Sequence, residues 1–160
     1  MKSSNRLVIS VADQCLQVIH DGRCIRQFAV STARNGVGFE LNSYRTPTGR
    51  FRIAEKIGAG QASGTIFKSR VAVGLWQPDD DLDDDLILTR ILRLQGLDEA
   101  NANTLERCIY IHGTNHEDML GQPASHGCVR LGNAAVIELF DLVAAGDLVE
   151  IESTAWRGDG

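Results

Sequence analysis

The sequence predicts a mainly β protein, a β-sandwich or partly closed barrel with one or two helices. Two observations predict this class: short segments rich in β-branched residues alternate with turn signals through the first half, and one clear helical periodicity lies near the C-terminus. At 160 residues the chain fits a single domain, 1–160, of a size that buries a core without a disulfide or a metal.

The predicted strands follow one another with turn chemistry between them. The early turns are Asp21-Gly22, Asn35-Gly36 and the segment 46–49. A helical turn or two is predicted over 98–106, and residues 156–160 are expected to form a loose tail. Strands are predicted over 6–12, 15–20, 23–31, 51–57, 71–76, 86–94, 108–112 and 147–152.

One helix is predicted over 134–144. Asn133 is expected to cap its N-terminus, and Gly146 suits the position just past its end. The apolar residues that share one face at helical spacing are Val136, Ile137, Phe140 and Val143.

The spacing of the cysteines predicts free thiols. A hairpin centred on Asp21-Gly22 would pair Ile19 with Cys24 and put Cys15 opposite Phe28. The two sulfurs would then lie roughly 13 Å apart along the strand at ~3.3 Å per residue, whereas a disulfide needs Cα atoms within about 7 Å. We expect three of the cysteines to be buried and to act as small apolar side chains: Cys15, Cys24 and Cys108.

Composition disfavours some classes of partner and location. The formal net charge is -5, with much of the acid in an aspartate-rich run over 79–85, so neither nucleic acid nor an anionic membrane is favoured as a partner. No stretch reaches the ~18 apolar residues of a membrane span, and the apolar run 7–12 is too short for a secretory signal. A natural start at Met1 therefore predicts a cytoplasmic protein, and a longer natural start would allow a periplasmic one. The sequence indicates neither an oligomeric state nor a role for the aspartate-rich run.

The residues that carry chemistry lie in two stretches, 111–115 and 125–130. A cysteine that transfers acyl groups reacts as a thiolate, yet its ordinary pKa of about 8.5 leaves it mostly protonated at neutral pH. A nearby imidazole solves this by taking the proton and returning it to the leaving amine. Cys128 is therefore the candidate nucleophile, and the N–H groups of Gly127 and Cys128 are candidates for an oxyanion hole.

Two histidines compete for the role of base. His126 lies two residues from Cys128, whereas His112 lies at the end of a predicted strand, where a rigid element holds it better. This favours His112 and leaves His126 open. A zinc site formed by both of these histidines with His116 and Cys128 is a further alternative. It is disfavoured because Gly113 interrupts the helix that would bring His112 and His116 together, and because the sequence has no Cys-x₂-Cys spacing.

These stretches resemble the signature of the L,D-transpeptidase catalytic domain. The resemblance covers roughly residues 5–152, nearly the whole chain. The motifs that carry it are Thr46-Pro47-Thr48-Gly49-Arg50-Phe51, His112-Gly113-Thr114 and Ser125-His126-Gly127-Cys128-Val129-Arg130.

The resemblance implies a β-rich fold with its active site in a cleft. Cys128 would be the nucleophile, and His112 the general base, oriented by the backbone carbonyl of Gly113. Arg130 would hold a substrate carboxylate or brace the loop, and no cofactor or metal is implied. The residues expected to shape the cleft and the oxyanion hole are Ser125, His126 and Gly127.

The resemblance also implies a reaction on the tetrapeptide stem of bacterial peptidoglycan. A thiolate attacks the carbonyl of the third residue, a diamino acid; the terminal D-alanine leaves and a thioester remains. Water then completes L,D-carboxypeptidation, or the amine of a second stem completes transpeptidation. With a cytoplasmic location, this favours an L,D-carboxypeptidase that trims soluble muropeptides for recycling. The alternatives are an L,D-transpeptidase that cross-links the wall or exchanges D-amino acids, and a non-catalytic wall-peptide-binding module.

Overall fold

The structure, a computed structural model, describes residues 5–80 and 84–154. It confirms the mainly β class, with one α-helix packed against a large sheet. The strands are β1 (Arg6–Ser10), β2 (Cys15–His20), β3 (Arg23–Ala29), β4 (Gly49–Ile57), β5 (Thr65–Lys68), β6 (Val71–Leu75), β7 (Ile87–Gly96), β8 (Tyr110–Gly113), β9 (Val129–Leu131) and β10 (Leu148–Glu152). The helix α1 is Asn133–Leu142, and a 3-10 turn, Glu117–Met119, precedes β9.

The sheet is branched at β7 and is not closed into a barrel. The main path runs β3-β2-β1-β10-β4-β7-β5-β6, while β8 pairs with β7 and β9 pairs with β8. Leu88 of β7 pairs with Ile66 of β5 and with Gly113 of β8, so β5 and β8 lie on opposite edges of β7. The branch carries β8 and β9 away from the main path; His112 lies in β8, and Cys128 lies immediately before β9.

One large apolar cluster lies between the sheet and α1. The helix contributes Val136, Leu139 and Phe140, and Phe51 at the sheet centre is fully buried. Burying each such side chain stabilises the fold by about 1.5–3 kcal/mol. Among the described residues no helix has the length and apolarity needed to cross a bilayer.

The prediction that Asn133 caps the helix is wrong. Gly132 is the N-cap, and Asn133 is the first helical residue. Its side chain is committed elsewhere: Oδ1 accepts a hydrogen bond from Thr89 Oγ1 at 2.6 Å, and Nδ2 donates to the carbonyl of Thr114 at 2.9 Å. The helix also ends earlier than predicted, at Leu142.

The hairpin β2–β3 corrects the cysteine predictions in part. Ile19 pairs with Cys24 as predicted, but a bulge next to Ile19 shifts the register, so Cys15 lies opposite Ala29 rather than Phe28. All four cysteines fall within the described residues and are free thiols. Cys15 is buried, whereas Cys24 and Cys108 are exposed, contrary to the expectation that they are buried.

The helical turns predicted over 98–106 are present as hydrogen-bonded turns that do not join into a helix. The predicted tail 156–160 and the middle of the aspartate-rich run lie outside the described residues.

Candidate active site

Two parallel strands bring the candidate nucleophile and base to one face of the sheet. Ile111 of β8 pairs with Val129 of β9, and both side chains are buried in the main core. Because side chains alternate along a strand, His112 and Cys128, each one residue away from this pair, project to the opposite face. The register therefore places them as diagonal neighbours on adjacent strands, Cys128 immediately before β9.

The Cys128 sulfur lies against the backbone that leads into β8. The Tyr110 N–H donates to Sγ at 3.3 Å, and the thiol donates to the Cys108 carbonyl at 3.4 Å. Burial raises the pKa of this thiol to about 12, although the Tyr110 hydrogen bond favours the thiolate. The resting group is therefore a neutral thiol that needs a base at the moment of attack.

His112 is held in the form that such a base requires. The residue is 1 % exposed, and its Nδ1 lies 2.5 Å from the carbonyl oxygen of Gly113, the contact that the resemblance implied. A carbonyl only accepts, so Nδ1 carries the ring proton and Nε2 keeps a free lone pair. Burial lowers the pKa of His112 more than the Gly113 carbonyl raises it. The imidazole is therefore neutral near pH 7.

The loop 125–128 is closed by the side chain of Ser125. Its Oγ donates to the Cys128 carbonyl at 2.6 Å and accepts from the Gly127 N–H at 3.2 Å. Gly127 has φ +129, a conformation that favours glycine. Its role in an oxyanion hole stays a prediction. For that role, the Gly127 N–H has to break its hydrogen bond to Ser125 Oγ and donate to a substrate oxygen instead.

Thr46 supports this loop from behind, a role that sequence reasoning missed. Its fully buried hydroxyl donates to the Gly127 carbonyl at 2.8 Å and accepts from the Ala33 N–H at 2.9 Å. The segment 46–49 was recognised as a turn and as part of the family signature, but nothing in the sequence pointed Thr46 toward Gly127.

Arg130 is buried and paired with an acidic side chain. The residue is 3 % exposed, and its Nη2 lies 2.9 Å from Oδ1 of Asp85. The other oxygen of this carboxylate lies 3.3 Å from Nδ1 of His126, whose exposed ring packs edge-on against Tyr44. Of the two roles predicted for Arg130, this placement favours bracing the loop over binding a substrate carboxylate. Asp85 itself was missed, because in sequence it is one member of an acidic run.

A cavity opens beside the loop 125–128. Its volume is about 460 Å³, and it is lined by Arg34, Asn35, Tyr44, Ser125 and His126. The exposed guanidinium of Arg34 makes a carboxylate a suitable group to bind there. Cys128 is not among the residues that line this cavity.

The four side chains considered as zinc ligands each contact different partners. His116 Nε2 donates to the carbonyl of Asp84 at 3.0 Å, while His126 pairs with Asp85. Within 5–80 and 84–154, no group of three or more His, Cys, Asp or Glu side chains is arranged to hold a metal ion.

Solved structures share this fold. An L,D-transpeptidase from Mycobacterium smegmatis matches 94% of this chain with a TM-score of 0.62 and 18% identity, over 59% of its own length. L,D-transpeptidase 3 from Mycobacterium tuberculosis, solved with a faropenem-derived adduct, matches 94% with a TM-score of 0.61 and 20% identity, over 61% of its length. An L,D-transpeptidase from Xylanimonas cellulosilytica matches 94% with a TM-score of 0.60 and 24% identity, over 61% of its length. At these identities the likeness is one of fold, and the chain spans about three fifths of each.

Sequence comparison points to the same family. The protein YqjB of Bacillus subtilis, assigned by its name to the L,D-transpeptidases, is 44% identical over 41 residues, which are 26% of this chain and 23% of that protein. The model of the L,D-transpeptidase catalytic domain, YkuD, matches residues 4–151. Since that match spans nearly the whole sequence and the fold agrees with it, this chain belongs to the L,D-transpeptidase catalytic domain family.

Proposed function

We propose that the protein is a cysteine acyl-transfer enzyme that acts on the tetrapeptide stem of peptidoglycan. The observation that carries the proposal is the state of His112: its Nδ1 is committed to Gly113, and its free Nε2 is on the face of the sheet that also carries Cys128. A neutral imidazole and a neutral thiol on the same face of the sheet are the two groups that general-base activation of a cysteine needs.

In the first half of the reaction, His112 Nε2 takes the thiol proton as Cys128 Sγ attacks the carbonyl carbon of the third stem residue. A bond forms between sulfur and carbon, and the carbonyl oxygen becomes an oxyanion that backbone N–H groups stabilise. The bond to the D-alanine nitrogen then breaks, and His112 gives that nitrogen the proton. D-alanine leaves, and a thioester remains on Cys128. Because burial raises the pKa of the thiol and so favours its neutral form, His112 is needed to take its proton during this step.

In the second half, an acceptor cleaves the thioester. With water as acceptor the product is a tripeptide stem, and the enzyme is an L,D-carboxypeptidase; this is the outcome we propose, in muropeptide recycling in the cytoplasm. The alternative acceptor is an amine of a second stem. That alternative is favoured by the names of the relatives, which are L,D-transpeptidases.

The test is incubation with a tetrapeptide muropeptide, with and without an acceptor amine, followed by mass analysis. We expect tripeptide and free D-alanine in both cases. Dimers or exchanged D-amino acids without tripeptide would favour the transpeptidase. Cys128→Ala should abolish D-alanine release, while Cys15→Ala, which removes a buried thiol in β2, should retain it. Equal activity in the two variants would refute the role of Cys128.

A β-lactam offers a second test of the nucleophile. The M. tuberculosis L,D-transpeptidase 3 carries a faropenem-derived adduct. For this chain we propose acylation of Cys128 by a carbapenem, seen as an intact-mass increase that Cys128→Ala abolishes. Binding of stem peptide without turnover or acylation would instead support the wall-peptide-binding module. Cell fractionation tests the location: enzyme confined to the wall fraction would contradict the cytoplasmic role.

A further inference from the structure

The carboxylate of Asp85 contacts residues on both sides of the candidate nucleophile. Its Oδ1 lies 2.9 Å from Nη2 of Arg130, two residues after Cys128, and its Oδ2 lies 3.3 Å from Nδ1 of His126, two residues before it. One side chain from a different part of the chain therefore bridges the segment in which Cys128 is the central residue.

The segment that carries Asp85 is in turn fixed to the loop that follows β8. Asn115 Nδ2 donates to the carbonyl of Asp84 at 2.9 Å, and Asn115 Oδ1 accepts from the Leu86 N–H at 3.1 Å. His116 Nε2 donates to the same Asp84 carbonyl at 3.0 Å. Residues 84–86 thus connect the loop after β8, the strand that holds His112, with the loop that holds Cys128.

Charge rather than directional hydrogen bonding holds the pair. Although Arg130 Nη2 and Asp85 Oδ1 are 2.9 Å apart, neither Asp85 Oδ1 nor Arg130 Nε has a well-formed hydrogen bond to any described residue. Both atoms are buried. Removing the carboxylate would leave the guanidinium buried without a counter-charge, a cost that favours a different arrangement of the segment 126–130.

We propose that Asp85 is a positioning residue that fixes the loop 126–130, and with it Cys128, for acyl transfer. The inference rests on the proposed function for its catalytic consequence. It gives the end of the aspartate-rich run a role: the last aspartate, two residues before β7, is an ionic tether of the active-site loop.

A positional role and a purely electrostatic role predict different outcomes. Burial is the main influence on both reacting groups, lowering the pKa of His112 and raising that of Cys128, and the Asp85 charge raises both pKa values. Removing that charge lowers both pKa values: the thiol becomes easier to ionise, so simple alkylation of Cys128 should not slow, while His112 becomes a weaker base. If Asp85 acts only through its charge, these two effects oppose each other in acyl transfer, and kcat should change little. If Asp85 positions the loop, acyl transfer slows while alkylation does not.

The experiment compares Asp85→Asn with the control Asp84→Asn, which removes the same charge at the neighbouring position. Asp84 is exposed, and it enters these contacts only through its backbone carbonyl. For Asp85→Asn we expect kcat for D-alanine release to fall about 10- to 100-fold with KM within about threefold, since a small misplacement of a reacting group has this effect. Iodoacetamide should label Cys128 at least as fast as in wild type. Asp84→Asn should match wild type, and Asp85→Glu should recover part of kcat.

Wild-type kcat in Asp85→Asn would overturn the proposal. Labelling of the buried Cys15 would reveal a variant that has lost its fold. In that case Asp85→Glu decides: a parallel fall in kcat and in the rate of Cys128 alkylation would overturn the proposal, because the loss would then lie in the thiol and not in the position of the loop. If the wild-type enzyme releases no D-alanine, the proposed function fails by itself. Amide hydrogen exchange then tests the tether: about tenfold faster exchange over 125–131 in Asp85→Asn supports it, and unchanged exchange contradicts it.

Discussion

Two features acting together keep the ring of His112 neutral. The hydrogen bond to the Gly113 carbonyl fixes the proton on Nδ1, and burial disfavours a second proton on Nε2. The first feature orients the ring, and the second keeps its lone pair available near neutral pH.

This state of His112 predicts a pH dependence of stability. The pKa of His112 is lowered on folding, so below the ordinary histidine pKa of about 6.5 this side chain binds a proton in the unfolded chain but not in the folded protein. The contribution of His112 to the free energy of unfolding is therefore full above that pH and is lost as the pH falls, by at most about 1.4 kcal/mol per pH unit. Urea unfolding of wild type and His112→Gln at pH 7.5 and 5.5 measures it. The variant should lose about 1 kcal/mol less over this interval; parallel losses would contradict the neutral, buried ring.

Two substitutions of Thr46 should distinguish the contribution of its hydroxyl group to stability from that of its methyl group. Thr46→Val would leave the Ala33 N–H and the Gly127 carbonyl buried without their partner. We expect the free energy of unfolding to fall by about 1–3 kcal/mol. Thr46→Ser keeps the hydroxyl and should lose clearly less. Urea unfolding of both variants is the measurement, and equal losses would show that the methyl group, not the hydroxyl, matters.

At the scale of single residues, the sequence indicates those candidate site residues that stand in short, contiguous motifs. Cys128 and His112 stand in short, recognisable motifs, and the Gly113 carbonyl follows His112 directly. Thr46 and Asp85 could not be found in this way, because their partners are distant in the chain: Thr46 and Gly127 are 81 positions apart. Nor could the sequence reveal that Arg130 is buried against Asp85.

At the scale of elements, the C-terminal end of β8 packs too closely for any side chain larger than glycine. A Cβ at Gly113 would lie 2.5 Å from Asn133 Oδ1 and 2.6 Å from the backbone oxygen of Leu88. The end of β8, the start of α1 and the neighbouring β7 therefore meet at this glycine.

Gly113→Ala should lower both stability and activity. The added methyl group forces these neighbours apart, at a cost of about 1–3 kcal/mol, and displaces the carbonyl that orients His112. Gly74→Ala in β6 is the matched control, since its Cβ would meet only Ile66 Cδ1 at 3.8 Å. Thermal unfolding and D-alanine release are measured for both variants. A Gly113→Ala enzyme as stable and active as Gly74→Ala would contradict this packing.

Most elements follow from local patterns, but their registers and ends do not. Alternation and turn residues predict the hairpin around Asp21-Gly22 and most of the strands, but they miss the short strands β5 and β9. The bulge beside Ile19 is invisible to periodicity, and it moved the partner of Cys15 by one residue. Asn133 is of a residue type that often caps helices, but its side chain instead forms hydrogen bonds with Thr89 and Thr114.

At the scale of the whole molecule, β10 joins the two ends of the chain. It pairs in parallel with β1 and antiparallel with β4, between the N-terminal strands and the branch that carries the site. The sheet is therefore continuous only when this late strand is in place. Val149 and Ile151 are its buried residues.

Ile151→Ala should destabilise the whole molecule by about 2–5 kcal/mol, because it opens a cavity at the junction of β10 with its neighbours. Val73→Ala is the control: Val73 is 55 % exposed on β6, and its truncation should change stability by less than about 0.5 kcal/mol. Urea unfolding measures both. A loss at Ile151 no larger than at Val73 would show that β10 does not hold the sheet together.

The mainly β class was predictable because it depends on the number of short strands and turns. The branched strand order was not, since β1 pairs with β10 and β8 pairs with both β7 and β9. Such pairings depend on contacts between distant segments, which turn chemistry and periodicity do not encode.

The central claim is that Cys128 carries the acyl group, and peptide mapping of an acid-quenched reaction tests it most directly. Wild-type protein mixed with stem tetrapeptide should show Cys128 heavier by the mass of the tripeptide acyl group, and His112→Gln should show little or none of this adduct. Release of D-alanine with the acyl group on another residue, or with no covalent adduct at any time point, would contradict the account.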